Sequence, residues 1–270
     1  MAQSLPQNSN ASLHAHPHPA AELNFLSAGG EMGERMRHHT WRDSSLGPPV
    51  GWPQSLRSAL SICLNAGFQI AIYWGKDLSL LYNDAWSPIL GLKHPHALGR
   101  PAREVWPEIW DTIGPLFASV FETGEATRSK DSLLAMHRHG FTEECYFDYT
   151  FSPIRDEEGN VGGIFNAVVE TTFRVIGERR TRLLRDLGER LAAVQTASEA
   201  LAISASVLSG AALELPFALV YLTEGAGHSR AFAVNGSGPD AQWPLADVGA
   251  HHAPLIVENI ASIGGAAVQG

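Results

Sequence analysis

The sequence predicts an α+β protein in which helices flank a five-stranded antiparallel sheet, followed by a long helix and a smaller α+β segment. Three observations predict this class. Short apolar runs separated by turn residues indicate strands, helical periodicity is sustained from Val175 to Leu201, and two more strand candidates follow that helix. The 270 residues are 44% hydrophobic and 17% charged, which is enough for two domains with cores of their own.

The first 66 residues are predicted to form a tail and a helical extension. Residues 1–27 begin with a stretch rich in Asn, Ser, Pro and His that lacks an apolar core, so we expect a disordered tail. Residues 28–66 form the extension, in which Ala28–Thr40 is compatible with a helix and Pro53 can open a second one. One face of that second helix carries Leu56, Leu60, Cys63 and Leu64.

Residues 67–173 are predicted to form the first domain. Its strand candidates are Phe68–Trp74, Leu78–Tyr82, Thr127–His137, Glu144–Ile154 and Gly162–Glu170. Short helical segments stand between the second and third strands, at Ala85–Leu90, Arg103–Trp110 and Thr112–Phe121. This order of elements predicts an antiparallel sheet that is wrapped on one face by helices.

Residues 174–201 are predicted to form one amphipathic linker helix. Apolar residues recur at alternating three- and four-residue steps, and the seam consists of Leu184, Leu187, Leu191, Val194, Ser198 and Leu201. We favour a parallel dimeric helix, because the segment connects two globular parts. The alternative is a solvated helix that packs on its own domain.

Residues 202–270 are predicted to begin a second domain and to contain only part of it. We expect a helix at Ile203–Leu208, a turn near Glu214 and paired strands at Phe217–Leu222 and Ser229–Val234, with a further strand or turn at Leu255–Ile260. The apolar stretch around Glu214 is long enough for a membrane span. The charge of Glu214 and the following Pro216 argue against one.

Composition excludes several classes of function. The 19 Lys and Arg against 28 Asp and Glu give a net charge of −9, which argues against binding to nucleic acid or anionic membranes. Two cysteines exclude a disulfide framework and fit a reducing, cytoplasmic location. The twelve histidines are dispersed in a tail (His14, His16, His18), in loops and in isolated pairs (His38–His39, His251–His252), so no metal site is predicted.

Three stretches carry a resemblance to a known family. They are residues 80–91 (LLYNDAWSPILG), residues 98–108 (LGRPAREVWPE), and Tyr149–Asp156 with the following Val161–Ile164. These stretches resemble motifs of PAS sensor domains. The resemblance covers roughly Arg42 to Phe173. It implies the PAS fold, with a cavity between sheet and helices that is empty or holds a small ligand.

A second resemblance concerns the flanking segments. Ser45–Pro53 is similar to the extension that precedes such domains in bacterial multidomain sensor histidine kinases. Pro216–Leu222 and Trp243–Leu245 resemble the start of a GAF domain. The resemblance implies the PAS–GAF front end of a two-component sensor kinase, with a kinase module in a longer parent. The chain shows neither a phosphoacceptor-histidine helix nor a Gly-rich ATP-binding segment, so we predict no catalytic residues in it.

The resemblance also directs attention to a ligand pocket. We predict walls formed by Ile70, Ile72, Tyr82, Trp86, Trp106 and Phe165, with Asn83 either as a polar anchor or as a cap of the following helix. Packing of these aromatic residues in the core is the alternative.

The sequence argues against two cofactors. Cysteinyl–flavin chemistry is not expected, because Ala102 occupies the cysteine position of the light-sensing relatives. Haem is not expected, because His94, His96, His137 and His139 fall in loops and turns rather than on a central helix, and we expect them to be exposed to solvent. The identity of any ligand stays open.

The sequence thus favours a sensory input module that binds a ligand or dimerises and signals through a helical linker. A structural dimerisation or docking module with an empty pocket is the alternative. The regulatory half of an enzyme is a third.

Overall fold

A computed structural model describes residues 21–215, 218–224 and 228–234. The chain divides into two units, Met1–Phe173 and Arg174–Gly270, which are described separately. The prediction of a disordered tail is wrong for its last residues. Ala21–Leu26 forms a 3₁₀ helix, and Leu26 is fully buried in the core. The histidines at 14, 16 and 18 lie outside the described residues.

Two helices follow in the extension. Helix α1 (Gly30–His38) begins after Gly29, whose φ of 92° is the left-handed conformation that glycine adopts without strain. Helix α2 (Gln54–Asn65) begins directly after Pro53 and buries the predicted apolar face. Pro53 is thus the N-cap, one residue before the predicted first helical position, and its carbonyl accepts from the Arg57 N–H at 3.1 Å.

The five predicted strands form a single antiparallel sheet with the order β2–β1–β5–β4–β3. The strands are β1 (Ile70–Trp74), β2 (Ser79–Tyr82), β3 (Thr127–His137), β4 (Thr142–Arg155) and β5 (Val161–Glu170). Strand β5, the last of the five in the chain, therefore lies at the centre of the sheet beside β1.

Register assigns the side chains to the two faces of this sheet. Ala71 is paired with Asn166, which is paired with Phe151, and cross-strand partners point to the same side. This side faces helices α3 (Ser87–Leu90), α4 (Ala102–Val105) and α5 (Trp110–Thr123). On β1 and β2 the opposite face packs against α2 of the extension. Both faces of this part of the sheet are thus covered.

The predicted helix at Arg103–Trp110 is interrupted in the structure. Helix α4 ends at Val105 and α5 begins only at Trp110. Pro107 explains the break, because proline disfavours the helical conformation in the residue before it, and Trp106 has φ −121° and ψ 48°. Helix α5 ends as predicted before Gly124, whose φ of 67° allows its N–H to bond the carbonyl of Val120.

The second unit contains most of α6 (Thr172–Leu191) together with α7 (Ala197–Ser209), β6 (Ala218–Glu224) and β7 (His228–Val234). The strands form the predicted antiparallel pair, and α7 packs against both of them. The predicted turn near Glu214 is present, and the Glu214 carboxylate forms ion pairs with Arg179 and Arg180. The segment predicted at Leu255–Ile260 lies outside the described residues.

The predicted single linker helix is not continuous. Helix α6 ends at Leu191, and α7 begins at Ala197, where the Thr196 side chain accepts a hydrogen bond of 3.2 Å from the N–H of Glu199. Thr at the cap with Glu three residues later is a helix-start signal, and it falls inside the predicted heptad pattern. Val194, Ser198 and Leu201 therefore do not extend the seam of α6.

Among the described helices, none has both the length and the apolar character needed to cross a membrane.

Candidate functional site

A small cavity lies between the sheet and helices α3–α5, at the position where the sequence predicted a pocket. Its volume is about 40 Å³. The lining residues are Tyr73, Trp86, Ile89, Trp106, Ile109, Ile113, Leu134, Met136, Phe147, Tyr149, Phe151, Asn166 and Val168. Of the predicted wall residues, only Trp86 and Trp106 are among them.

Aromatic packing explains why the cavity is so small. The Phe117 ring of α5 lies 4.8 Å from the Tyr73 ring and 4.5 Å from the Phe151 ring, and Trp86 packs edge-on against Trp106 at 5.8 Å. A buried water needs roughly 10–15 Å³ of such volume, so the space suffices for only a few waters. The alternative interpretation of the aromatic residues as core packing fits this geometry.

Few polar groups reach this cavity. Trp106 Nε1 donates to the Tyr73 hydroxyl at 3.1 Å, and Asn166 Nδ2 donates to the carbonyl of Thr150 at 3.2 Å. Burial raises the pKa of Tyr73 well above its usual value, so this hydroxyl stays neutral. Trp86 Nε1 is buried and has no acceptor among the described residues. Among the described residues that line the cavity, it is the one buried side-chain atom of this kind without any hydrogen-bond partner, and a small acceptor could satisfy it.

Three predicted wall residues lie on the other face of the sheet. Ile72 pairs with Phe165, and Ile70 shares their side, so all three point away from the cavity toward the face that α2 covers. Tyr82 lies on the cavity side, but its hydroxyl bonds His94 Nδ1 at 2.9 Å and its ring packs on Trp86 at 5.3 Å. It contacts a cavity residue without lining the cavity.

Asn83 is fully engaged by the backbone. Its Oδ1 accepts from the N–H groups of Ile70 and Trp86 at 3.2 and 3.1 Å. Its Nδ2 lies 3.0, 3.1 and 2.7 Å from the carbonyl oxygens of Cys63, Ala66 and Phe68. The bond to the Trp86 N–H fits the interpretation as a cap just before α3. No hydrogen-bonding atom of this side chain is left over for a ligand.

Flavin and haem do not fit this site. The cavity is far smaller than either group, and none of the described residues that line it is a histidine or a cysteine. Ala102 is buried at the start of α4. Both thiols are buried, which raises the pKa of Cys63 to about 12 and that of Cys145 to about 11. Neither is a thiolate at neutral pH.

Two of the described histidines pair with side chains of other residues. Within the part of the chain that the structure describes, no three His, Cys, Asp or Glu side chains are placed to hold a metal ion. His94 differs from the expected exposed loop residue, because it bonds Tyr82 and its Nε2 lies 3.6 Å from Glu31. His139 bonds Glu143 at 2.6 Å in the β3–β4 turn.

A charged cluster that the sequence analysis missed stands at the end of the sheet. Arg138, in the β3–β4 turn, makes two hydrogen bonds of 2.9 Å to Glu170, the last residue of β5, and one of 3.0 Å to Glu143. Its side chain is only 11% exposed. Paired carboxylates raise the pKa of Arg138, the hydrogen bond with Glu170 contributing most.

The same cluster reaches the first residue of α6. Thr172 Oγ1 donates to Glu170 Oε1 at 2.9 Å and accepts from the N–H of Tyr146 at 2.9 Å. Burial alone would raise the pKa of Glu170, but the bonds from Arg138 and Thr172 outweigh it, so the pKa is lowered. No sequence spacing could have found this cluster, because the turn and the strand end meet only in the folded sheet.

Helix α1 is anchored to the sheet by a residue distant in sequence. Asp84, after β2, accepts hydrogen bonds from the backbone N–H groups of Met32 and Glu31 at 2.7 and 3.0 Å. These N–H groups lie in the first turn of a helix and have no acceptor within it. The carboxylate thus replaces the missing local cap of α1, and the extension and the sheet form one body.

Comparison with known proteins agrees with this architecture. Residues 65–176 match the PAS fold family. A sensory box sensor histidine kinase from Vibrio cholerae aligns at 17% identity over 43% of this chain and 86% of that chain, with a TM-score of 0.30. The PAS domain of histidine kinase ThkA aligns at 28% identity over 37% and 98% of the two chains, with a TM-score of 0.28.

A structure of histidine kinase ThkA in complex with response regulator protein TrrA aligns at 25% identity over 58% of this chain and 44% of that chain, with a TM-score of 0.35. All three TM-scores are low, so the assignment depends on the family match and on the five-stranded antiparallel sheet with its flanking helices. On that basis residues 65–176 form a PAS domain.

Proposed function

We propose that this chain is a sensory signal-transduction module, in which the PAS sheet passes a change to helix α6. One observation carries the proposal: only Thr171 separates the end of β5 from the start of α6, and the Arg138–Glu170–Thr172 cluster fixes that junction. Because β5 is central in the sheet, a shift of the sheet moves the residue that holds the first turn of α6.

A bidentate arginine–carboxylate pair suits this role. Its two parallel hydrogen bonds fix orientation as well as distance, and its low exposure shields it from screening by salt. Such a contact is either formed or broken. A two-state signal requires two distinct arrangements of this kind. The cluster therefore acts as the coupling element between sensor and output helix.

Two further parts of the proposal concern residues after 176. We place a homodimer contact on α6, where Leu184 is 69% exposed and continues the heptad pattern to Leu187 and Leu191. We interpret residues 202–270 as the start of a GAF-like domain, on the resemblance and on the packing of α7 against the β6–β7 hairpin. The parent would then be a cytoplasmic sensor histidine kinase.

A structural module with an empty pocket is the second candidate. The volume of about 40 Å³ favours it, because ligand pockets for drug-sized molecules are typically 300–1,000 Å³. In that case the PAS domain contributes dimerisation or docking. Native mass spectrometry of the purified chain separates the two: a bound small molecule supports the sensor with an occupied cavity, and an empty chain supports the structural module.

The coupling itself is tested by replacing Arg138 with Gln. We expect amide hydrogen exchange at residues 176–180 of α6 to accelerate about tenfold, equivalent to about 1.4 kcal/mol of local stability. The matched control is Glu143→Gln, which removes the charge of the other carboxylate beside Arg138 but leaves the bond to Glu170. Unchanged exchange in α6 in both variants, with faster exchange only in the β3–β4 turn, would contradict the proposal.

A further inference from the structure

A second and much larger cleft lies outside the PAS cavity, within the first unit. Its volume is about 870 Å³. One wall is the end of α1 and the segment after it, at residues 35–45, and the other is the loop and helix start at residues 95–104. The first wall precedes the segment that matches the PAS family, so this cleft exists only because the extension is docked on the sheet.

Basic side chains dominate the polar lining of this cleft. They are Arg35, His38, His39, His96 and Arg100, with Asp77 and Glu104 as the lining carboxylates. Arg100 is paired with Glu104 at 3.0 Å, and Arg35 with Glu31 at 2.7 Å. Each guanidinium thus has a carboxylate partner, and Asp77 adds a further carboxylate to the lining. An oxyanion that enters the cleft therefore competes with Glu31 and Glu104 for Arg35 and Arg100.

His39 is the most enclosed of these histidines. Its ring packs against Trp41 at 4.5 Å, beside Gly99, whose φ of 73° lets the backbone approach closely. Partial burial lowers the pKa of His39, so the ring is held neutral in the free protein. Arg35, His38, His96, Arg100, Asp77 and Glu104 are the charged and titratable groups that line the same cleft.

We propose that this cleft binds a small oxyanion, a metabolite-sized molecule that carries a carboxylate or phosphate group. The guanidiniums supply charge-assisted donors in exchange for their present carboxylate partners, and the rings of His39 and His96 supply further donors in the same cleft. Binding of the anion favours the protonated form of His39 and is therefore stronger at low pH.

The cleft is also connected to the sheet. Arg35 bonds Glu31, which lies 3.6 Å from His94 Nε2, and His94 Nδ1 bonds the Tyr82 hydroxyl at 2.9 Å. An anion that draws Arg35 away from Glu31 changes the charge that His94 experiences beside β2. The inference goes beyond the proposed function, because the coupling of β5 to α6 does not depend on it.

The test is a titration of the full chain at pH 6.5 and pH 8. Binding is measured from the NMR chemical shifts of the histidine rings and of the Trp41 indole N–H. Inorganic phosphate and malonate are the probes, and sodium chloride of equal ionic strength is the reference. We expect saturable shifts of His39, His96 and Trp41 at pH 6.5 and weaker binding at pH 8. Whichever probe binds more tightly identifies the phosphate or carboxylate source.

Two double variants at exposed residues test whether the anion binds in this cleft. His96→Asn together with Arg100→Gln should weaken binding about tenfold, the loss of about 1.4 kcal/mol expected for charge-assisted bonds. His137→Asn together with Arg128→Gln, also exposed but outside the cleft, should leave binding unchanged. Shifts that chloride reproduces, linear shifts without saturation, or equal weakening in both double variants would overturn the proposal.

Discussion

At the residue scale, Asn83 shows how a predicted ligand anchor can instead be part of the scaffold. One side chain satisfies two N–H groups and three carbonyls where α2, β1 and the turn before α3 meet. It is 1% exposed, so water cannot replace these bonds. The contribution of this residue is therefore to stability and not to ligand binding.

This role predicts a large effect of Asn83→Ala on stability. The substitution removes the Asn83 bonds to the Ile70 N–H and to the carbonyls of Ala66 and Phe68, and each stranded buried group costs about 1–3 kcal/mol. The Trp86 N–H and the Cys63 carbonyl keep backbone partners. We expect the free energy of unfolding, measured by urea denaturation, to fall by about 3 kcal/mol. Asn65→Ala, at an exposed asparagine at the end of α2, is the control and should cost less than about 0.5 kcal/mol. Equal losses in the two variants would show that Asn83 is dispensable.

The wall residues of the cavity could not be assigned from the sequence for a physical reason. All five residues of β1 are buried, because helices cover one face and the extension covers the other. Alternation between apolar and polar residues, which normally identifies the inner face of a strand, is therefore absent. Choosing Ile72 rather than Tyr73 as a wall residue moved the prediction to the wrong face.

At the element scale, the strands were predictable, but the end of α4 and the break between α6 and α7 were not. Turn residues and β-branched or aromatic runs identified all five strands of the sheet to within a few residues. The heptad pattern after residue 174 concealed a second helix start at Thr196, where a local cap competes with the continuous periodicity. Helix α6 keeps only the first part of the predicted seam.

This shorter seam still predicts a homodimer through α6. Leu184→Asp places a charge at an exposed seam position, where burial against a second copy is costly, without disturbing a core contact of the monomer. We expect size-exclusion chromatography with light scattering to give a dimer for the wild type and a monomer for this variant. Leu92→Asp, at a leucine 72% exposed outside α6, is the matched control and should stay dimeric. A monomeric wild type at high concentration would contradict the dimer.

At the scale of the whole molecule, the extension and the PAS domain share one hydrophobic core. Leu26 and, in the extension, Met32 and Leu60 are fully buried together with Ile72 and Leu81 of the sheet. The sequence predicted both parts but not that they pack together. The Asp84 cap of α1 and the His94–Glu31 contact join residues that are far apart in the chain. The large cleft exists only through this packing.

The central claim is that a change in the PAS core reaches α6 through the Arg138 cluster. The most direct test perturbs the cavity wall with Trp86→Phe, which removes the unpaired indole N–H, and follows amide exchange of α6 in two backgrounds, wild type and Arg138→Gln. The account predicts that Trp86→Phe changes exchange at residues 176–180 in the wild-type background and leaves it unchanged once Arg138 is replaced. An identical change in both backgrounds, or none in either, would contradict it.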